Sequence, residues 1–148
     1  MKAVVQRVTR ADLKVDGELI SEIGHGMVVF LGVGAGDNES ELEKLALKIS
    51  KLRIFKDEND KMNLSVKDVA GEILLVSQFT LFADCSHGNR PSFFEAEKPE
   101  RANFLYEKMR QRLQAEGIGV KTGVFGADMK IEVWNDGPVT IVLDGKAL

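Results

Sequence analysis

Residues 73–84 read ILLVSQFTLFAD, an apolar run that polar side chains interrupt before it turns apolar again. A short apolar run of this kind favours a buried β-strand. A buried hydroxyl or amide without a partner costs about 1–3 kcal/mol, so Ser77, Gln78 and Thr80 need partners. Either they alternate toward solvent at the end of the strand, or they form the polar floor of a pocket with Ser77 or Thr80 near a reacting carbonyl.

Other extended segments surround this one along the chain. Runs rich in β-branched and aromatic residues predict strands over residues 2–8, 13–15, 19–23, 27–33, 73–79, 120–125, 130–134 and 139–143. Asp16-Gly17 falls between the second and third of these runs and predicts a tight hairpin turn.

Two segments instead have the three-and-four spacing of amphipathic helices. The first follows Asp37 or Asn38, either of which can cap it, and the second begins at Pro99 and can end at Gly117. The apolar stripes consist of Leu42, Leu45, Ala46, Ile49 and Leu52, and of Ala102, Leu105, Tyr106, Met109 and Leu113. Because each helix has one stripe to bury, we expect a mixed α/β fold: a mixed β-sheet or partly closed barrel with two helices packed on it.

The composition bounds the class of protein. A chain of 148 residues that is 44% hydrophobic can form one domain with a sizeable core, and no linker or repeat divides residues 1–148. The single cysteine, Cys85, excludes an intramolecular disulfide, and we expect no metal and no cofactor. No signal-peptide or membrane-spanning run is present, which predicts a cytoplasmic protein. The net charge of −3 predicts that any contact with nucleic acid is small and local.

A hydroxyl nucleophile would need an activating base, and the sequence offers none with a recognisable spacing. His25 lies between two glycines and His87 lies in a polar loop, which are positions typical of solvated residues. The segment GVGAGD at residues 32–37 follows a strand but lacks the further glycine or the Lys-Ser/Thr of a nucleotide-binding loop, so it predicts a flexible connection. We therefore expect neither a Ser/Thr-His-Asp hydrolase nor a dinucleotide fold.

The segment WNDGPVT at residues 134–140 is the second stretch of interest. Asn, Asp, Gly and Pro are ordinary turn residues, and this composition alone predicts a hairpin between two strands. However, a proline at the start of a strand donates no ladder hydrogen bond and adopts a cis peptide far more readily than other residues. A cis Gly137-Pro138 bond, which would turn two carbonyls in a shared direction, is the alternative interpretation.

Together, SQFTLFAD at residues 77–84 and NDGPVT at residues 135–140 resemble the two signature motifs of the D-aminoacyl-tRNA deacylase family, in the same order and near the same separation. The resemblance extends over the whole chain, through VVQRVTRA, RIFKDENDKMNLSV, GNRPSF and TGVFGADM. Cys85 and Phe82 depart from it, because many relatives have a threonine and a small residue at these positions.

The resemblance implies a carboxylic ester hydrolase that releases D-amino acids, or glycine, from tRNA and excludes L-aminoacyl-tRNA. It implies a homodimer with active sites at the subunit interface, each completed by a cis Gly-Pro pair from the partner, which maps onto Gly137-Pro138. The carbonyls of that pair leave no room for an L side chain. The implied partners are the acceptor end of aminoacyl-tRNA and a second copy of the chain, with no cofactor and no membrane.

The resemblance also implies roles for single residues. Ser77, Gln78, Phe79 and Thr80 form the reacting end of the pocket, where the backbone N–H groups of Phe79 and Thr80 serve as an oxyanion hole. Thr80 then positions the substrate, and the 2′-hydroxyl of the RNA assists the attacking water. The remaining implied contacts are Phe125, Ala127 and Met129 for the terminal adenosine, and Arg7 for the Gly-Pro loop.

Two other functions remain open at this point. One is a module that binds RNA ends or nucleotides with the same pocket and does not hydrolyse them. The other is a general esterase that uses Thr80 as a nucleophile and cleaves small activated esters without tRNA.

Overall fold

The computed structural model describes residues 1–148 and contains eight strands, six of which form one mixed sheet. The strands are β1 (Lys2–Val15), β2 (Glu18–Ile23), β3 (Gly26–Gly32), β4 (Phe55–Lys56), β5 (Met62–Leu64), β6 (Glu72–Ser77), β7 (Gly119–Thr122) and β8 (Lys130–Asp144). The helices are α1 (Glu39–Lys51) and α2 (Pro99–Ala115), and short 3₁₀ turns span Phe79–Phe82 and Gly145–Ala147. Neither long helix has the length and apolar character needed to cross a membrane.

Strand β1 pairs along both of its edges. On one edge, residues 2–8 pair antiparallel with β3 and residues 11–15 pair antiparallel with β2. On the other edge, β8 runs antiparallel over almost the whole strand, from Lys2 opposite Asp144 to Lys14 opposite Lys130. The parallel pairs β3-β6 and β6-β7 extend the sheet.

The sheet curls until β2 meets β7. Ser21 Oγ donates to the Thr122 carbonyl at 2.5 Å, and Lys121 Nζ donates to the Glu22 carbonyl at 2.7 Å. No backbone ladder joins β2 to β7, so the barrel is closed there by hydrogen bonds from side chains to backbone carbonyls. The prediction of a partly closed barrel with two helices packed on it is confirmed.

Both faces of the central strands are buried. Met27 and Val29 belong to a cluster of 22 buried residues that includes the apolar stripes of both helices. Val28 and Leu74 belong to a second cluster of 7 buried residues. Because successive side chains of a strand point to opposite faces, the first cluster lies under the helices and the second fills the inside of the barrel.

Asp37 and Asn38, which the sequence left as alternative caps of α1, have different roles in the structure. Asn38 caps the helix, since its Oδ1 accepts from the Glu41 N–H at 3.1 Å. The buried Asp37 instead lies 2.6 Å from the Met1 ammonium and accepts from the Gly34 N–H at 2.6 Å. The connection before α1 is therefore tethered, and the prediction of a flexible loop is wrong. Unpairing a buried carboxylate of this kind costs several kcal/mol.

Two strands are continuous where the sequence predicted breaks. β1 continues through Asp12 because this segment pairs with β2 on one edge and with β8 on the other. The Asp12 side chain is 5% exposed, and its carboxylate accepts from Arg10 Nη2 at 3.0 Å. β8 continues through the residues predicted as a hairpin, since both of its halves pair with β1 and residues 136–139 bulge out opposite Arg7 alone. The hairpin prediction is wrong because pairing with a distant strand, and not local turn chemistry, determines the path of the chain.

Other boundaries differ less. β6 ends at Ser77 and β7 at Thr122, each shorter than predicted. The hairpin of β4 and β5 was not predicted, because strands of 2 and 3 residues are too short to show an alternation. α2 begins at Pro99, and Gly117 follows its end with a φ of +83°, both as predicted.

Candidate active site

A cavity of about 630 Å³ opens at the carboxyl ends of β3 and β6. Its walls come from these strand ends, the start of the 3₁₀ turn that follows β6, the first turns of α2 and residues 125–129. The carboxyl ends of parallel strands are where open sheets commonly bind ligands. Six residues that the sequence assigned to the pocket line the cavity: Ser77, Gln78, Phe79, Phe125, Ala127 and Met129.

Thr80 occupies the rim and does not line the cavity. Gln78 Nε2 donates to Thr80 Oγ1 at 2.5 Å, and this is the only side-chain hydrogen bond of the threonine hydroxyl. A hydroxyl nucleophile at neutral pH requires a base in contact with it. No histidine or carboxylate makes that contact here.

The turn after β6 leaves backbone donors near the cavity. Its first hydrogen bond runs from the Leu81 N–H to the Gln78 carbonyl at 3.3 Å. The N–H groups of Phe79 and Thr80 precede that bond and have no acceptor within the turn. The Gln78 N–H donates to the Leu31 carbonyl at 2.8 Å just before the turn, and the Phe79 ring packs edge-on against Phe93 with centroids 5.0 Å apart. Two adjacent fixed N–H groups can stabilise a negatively charged carbonyl oxygen.

The facing wall is largely apolar. It contains Phe125, Ala127 and Met129, and the Phe125 ring lies 5.9 Å from the ring of Tyr106. Met129 packs closely on Gly123, where a Cβ atom would lie 2.5 Å from its sulfur. An aromatic ring beside a thioether suits a flat apolar ligand such as a nucleobase.

Sequence reasoning missed Tyr106, Glu97 and Lys98 as lining residues. Tyr106 lies on the predicted core stripe of α2, and its buried hydroxyl donates to the Leu75 carbonyl at 2.7 Å. Burial, followed by the charge of Glu107, raises the pKa of Tyr106 far above its ordinary value, so the phenol stays protonated and is no base. The helical spacing of apolar residues predicted that this face of α2 is buried, but it does not indicate that Tyr106 on the same face also borders a cavity.

The bulge of β8 carries Gly137-Pro138, whose peptide bond is cis. This agrees with the alternative interpretation of the sequence. Arg7 is 3% exposed and lies under the bulge, with its Nε 3.1 Å from Asp136 Oδ2 and its Nη1 donating to the Ile54 carbonyl at 2.7 Å. The Nε–H is not aligned for a hydrogen bond to the carboxylate, so this contact is an ion pair by distance alone.

Asn135 closes the base of the bulge, a role that sequence reasoning missed. Its Nδ2 donates to the carbonyls of Arg7 and Val139 at 3.1 and 3.0 Å. Gly137 has a φ of +119°, and a Cβ atom there would lie 2.9 Å from Arg7 Nη2. Glycine is therefore required at this position both by its backbone conformation and by the close approach of a buried guanidinium.

The two motifs do not meet within one chain. Gly137, Pro138 and Arg7 are absent from the cavity lining, and the Gly-Pro pair is exposed to solvent. Within a single chain, the Gly-Pro loop thus does not reach the cavity.

Ser86, His87 and Asp84 lie together outside the cavity and do not form a catalytic triad. Ser86 Oγ and Asp84 Oδ2 lie 2.8 and 3.6 Å from the same ring nitrogen, His87 Nδ1, whereas a triad uses both nitrogens. Hydrogen bonds from Ser86 hold the pKa of Asp84 below its ordinary value. No group of three or more His, Cys, Asp or Glu side chains is arranged to bind a metal ion.

Comparisons with known proteins were made over the whole chain. A family model described as D-Tyr-tRNA(Tyr) deacylase matches residues 4–144. The chain is 55% identical over 148 residues to a D-aminoacyl-tRNA deacylase of Persephonella marina, which covers 100% of both chains. It is 56% identical over 146 residues to a D-aminoacyl-tRNA deacylase of Koribacter versatilis, covering 99% of this chain and 98% of that one. A solved structure named c-Myc DNA Unwinding Element Binding Protein is similar with a TM-score of 0.90 and 47% identity, covering 97% of this chain and 98% of that one.

Proposed function

The chain belongs to the D-Tyr-tRNA(Tyr) deacylase family and hydrolyses D-aminoacyl-tRNA, and we propose that it does so as a homodimeric proofreading enzyme of the cytoplasm. In this proposal, glycyl-tRNA is a further substrate and L-aminoacyl-tRNA is excluded. The observation that carries the proposal is the separation, within one chain, of the cavity from the Gly137-Pro138 loop. A second copy of the chain supplies the missing loop to each cavity.

The outer edge of β8 supports pairing with a second copy. β8 has β1 on one edge and no strand on the other. Large apolar side chains lie exposed on it, with Trp134 61% and Val142 73% accessible to solvent. An open edge strand with apolar side chains is a template for association with another chain.

We expect a dimer at low micromolar concentration, measured by sedimentation or light scattering. Val142→Asp, which replaces an exposed apolar side chain of β8 with a charge, is expected to shift the protein toward monomer and to lower deacylation in parallel. Met62→Asp, at a residue that is 58% exposed on β5, serves as the matched control and should leave both unchanged. A stable monomer with full activity would contradict the proposal.

Chiral exclusion in this proposal depends on backbone shape. The carbonyls of the partner's Gly-Pro loop face the α-amino group of the substrate and occupy the space of an L side chain. A D side chain points away from them, and glycine has no side chain to exclude. Arg7 and Asn135 act on this loop from below, and therefore position it without touching the substrate.

The chemical step that we propose uses a water molecule and the RNA itself. The water oxygen bonds to the ester carbonyl carbon, and the negative charge that develops on the carbonyl oxygen is stabilised by the N–H groups of Phe79 and Thr80. The bond from the carbonyl carbon to the 3′-oxygen then breaks. The neighbouring 2′-hydroxyl of the terminal adenosine relays the proton from water to that 3′-oxygen, while Phe125, Ala127 and Met129 hold the base.

Incubation with D-tyrosyl-tRNA, L-tyrosyl-tRNA and glycyl-tRNA tests this function. We expect rapid loss of the D and glycyl esters, with the L ester retained at its spontaneous rate. Retention of all three esters, with binding intact, would support a nucleic-acid binding module, and the DNA-binding name of one similar structure makes that the second candidate. Cleavage of small activated esters without tRNA would support the general esterase.

A further inference from the structure

A groove of about 450 Å³ runs along the exposed face of α1, separate from the cavity. Four cationic residues line it, together with apolar side chains and no acidic side chain: Lys44, Lys48, Lys51 and Arg53. The three lysines lie four and three residues apart, which places them on one face of the helix. All four cations are exposed, and none forms an ion pair.

This concentration of free positive charge contrasts with the net charge of the chain, which is −3. Elsewhere on the surface some cations, such as Arg112 and Lys121, are paired with carboxylates, and others, such as Lys61, are unpaired. The floor of the groove is apolar, and Leu47 is 38% exposed there beside the lysine stems. A groove lined by four unpaired cations and no acidic side chain attracts a polyanion such as the phosphate backbone of a nucleic acid.

The groove adjoins the support of the Gly137-Pro138 loop. Arg53 directly precedes Ile54, whose carbonyl accepts from Arg7, and Arg7 in turn contacts Asp136 in the bulge. The cavity of the same chain lies toward the other end of α1, where the Gly36 N–H donates to the cavity residue Glu97 at 3.2 Å. A helix of this length spans about 20 Å, so the Arg53 end of the groove adjoins the support of the loop, whereas the residues before α1 adjoin the cavity.

We infer that this groove binds the phosphate backbone of the tRNA whose acceptor end occupies the cavity of the partner subunit. The inference rests on the proposed function, because the Gly-Pro loop leads to the partner's cavity only in the dimer. Each tRNA is then held by two chains, one of which supplies the cavity and the other the loop and the groove.

The test compares a full tRNA ester with a minimal one. We expect the triple variant Lys44→Ala, Lys48→Ala, Lys51→Ala to raise KM for D-tyrosyl-tRNA at least tenfold with kcat unchanged. It should also lower the slope of log(kcat/KM) against log salt by about 2 to 3, or about 1 per lysine. Turnover of D-tyrosyl-adenosine, which lacks the phosphate backbone, should not change. Alanine favours helix, so α1 is preserved, and the thermal midpoint verifies this.

The matched control replaces three exposed lysines outside the groove, Lys14, Lys61 and Lys67, with alanine, and we expect the wild-type KM and salt slope. Wild-type values in the groove variant, with normal turnover by the wild type, would overturn the groove assignment alone. A wild type that hydrolyses neither ester would overturn the proposed function and this inference with it.

Mixed dimers determine which subunit holds the tRNA. One chain carries Ala127→Trp, which fills its cavity, so only the other cavity works. We expect KM to rise when the lysine substitutions are on the blocked chain, whose loop and groove serve the working cavity. The substitutions should have no effect on the chain that carries the working cavity. The reverse pattern would overturn the assignment across the dimer.

Discussion

Replacing the 2′-hydroxyl of the terminal adenosine with hydrogen is expected to slow hydrolysis of D-tyrosyl-tRNA by the wild type by about 100-fold or more. Thr80→Ala, by contrast, should keep turnover within about tenfold. General acid–base assistance contributes about 10²–10⁴ in rate, and we assign it to the RNA because no base contacts Thr80. Gln78 is the only side chain that hydrogen-bonds to the Thr80 hydroxyl. The proposed oxyanion donors are backbone N–H groups, which the alanine variant retains. Single-turnover rates measure both effects.

Thr9→Ala, at an exposed threonine on β1, controls for the general effect of removing a hydroxyl. A 2′-deoxy substitution one nucleotide earlier controls for the modification of the RNA. If folded Thr80→Ala still binds substrate and loses several orders of magnitude in rate, the threonine is the nucleophile and the mechanism is wrong.

Gly137→Ala is expected to lower D-tyrosyl-tRNA turnover by about 100-fold and to reduce the ratio of D to L turnover. The added methyl group would lie 2.9 Å from the buried guanidinium of Arg7 and 3.1 Å from Val139 Cγ2, so either the loop or the arginine that supports it must shift. The φ of +119° at Gly137 is also unfavourable for any residue with a side chain. A displaced loop loses its contacts with the substrate amine and no longer fills the space of an L side chain. Rates on the D, L and glycyl esters of one tRNA measure the effect.

Gly17→Ala provides the matched control. Gly17 has a φ of +78° in the β1-β2 turn, and a Cβ atom there meets nothing within 4 Å. Alanine in this left-handed conformation costs about 1–2 kcal/mol of backbone strain, and it meets no clash. We expect wild-type rates and selectivity from it. If Gly137→Ala also kept the wild-type rates and ratios, the loop would be only a feature of β8 without a role in recognition.

Local patterns predicted local structure well. The apolar stripes of α1 and α2 depend only on residues three and four apart, and both helices form where those stripes predict them. Asp16 and Gly17 both have positive φ, as their tight turn requires. The path of β8 could not be predicted in this way, because each half of the strand is set by its pairing with β1.

In the candidate site, too, the residues that follow a local pattern could be predicted and those placed by the overall fold could not. Ser77, Gln78 and Phe79 follow a recognisable strand, and the structure places all three in the cavity. Tyr106 reaches the cavity from a helix whose periodicity shows only that it is buried. The separation of the Gly-Pro loop from its own cavity depends on the fold of the whole chain, and no local pattern reports it.

The pairing of β1 with β8 has a consequence for synthesis of the chain. β1 ends at Val15 and β8 begins at Lys130, so the first strand leaves the ribosome long before its partner exists. At about 5–20 residues per second the interval is roughly 10 s, and during it one edge of β1 stays open even after β2 and β3 have paired with the other. Charged side chains on an open edge discourage it from joining other chains, and β1 carries several, Arg7, Arg10 and Lys14 among them. Arg7, which supports the Gly-Pro loop in the finished protein, is thus one of the charges on this strand while its edge is open.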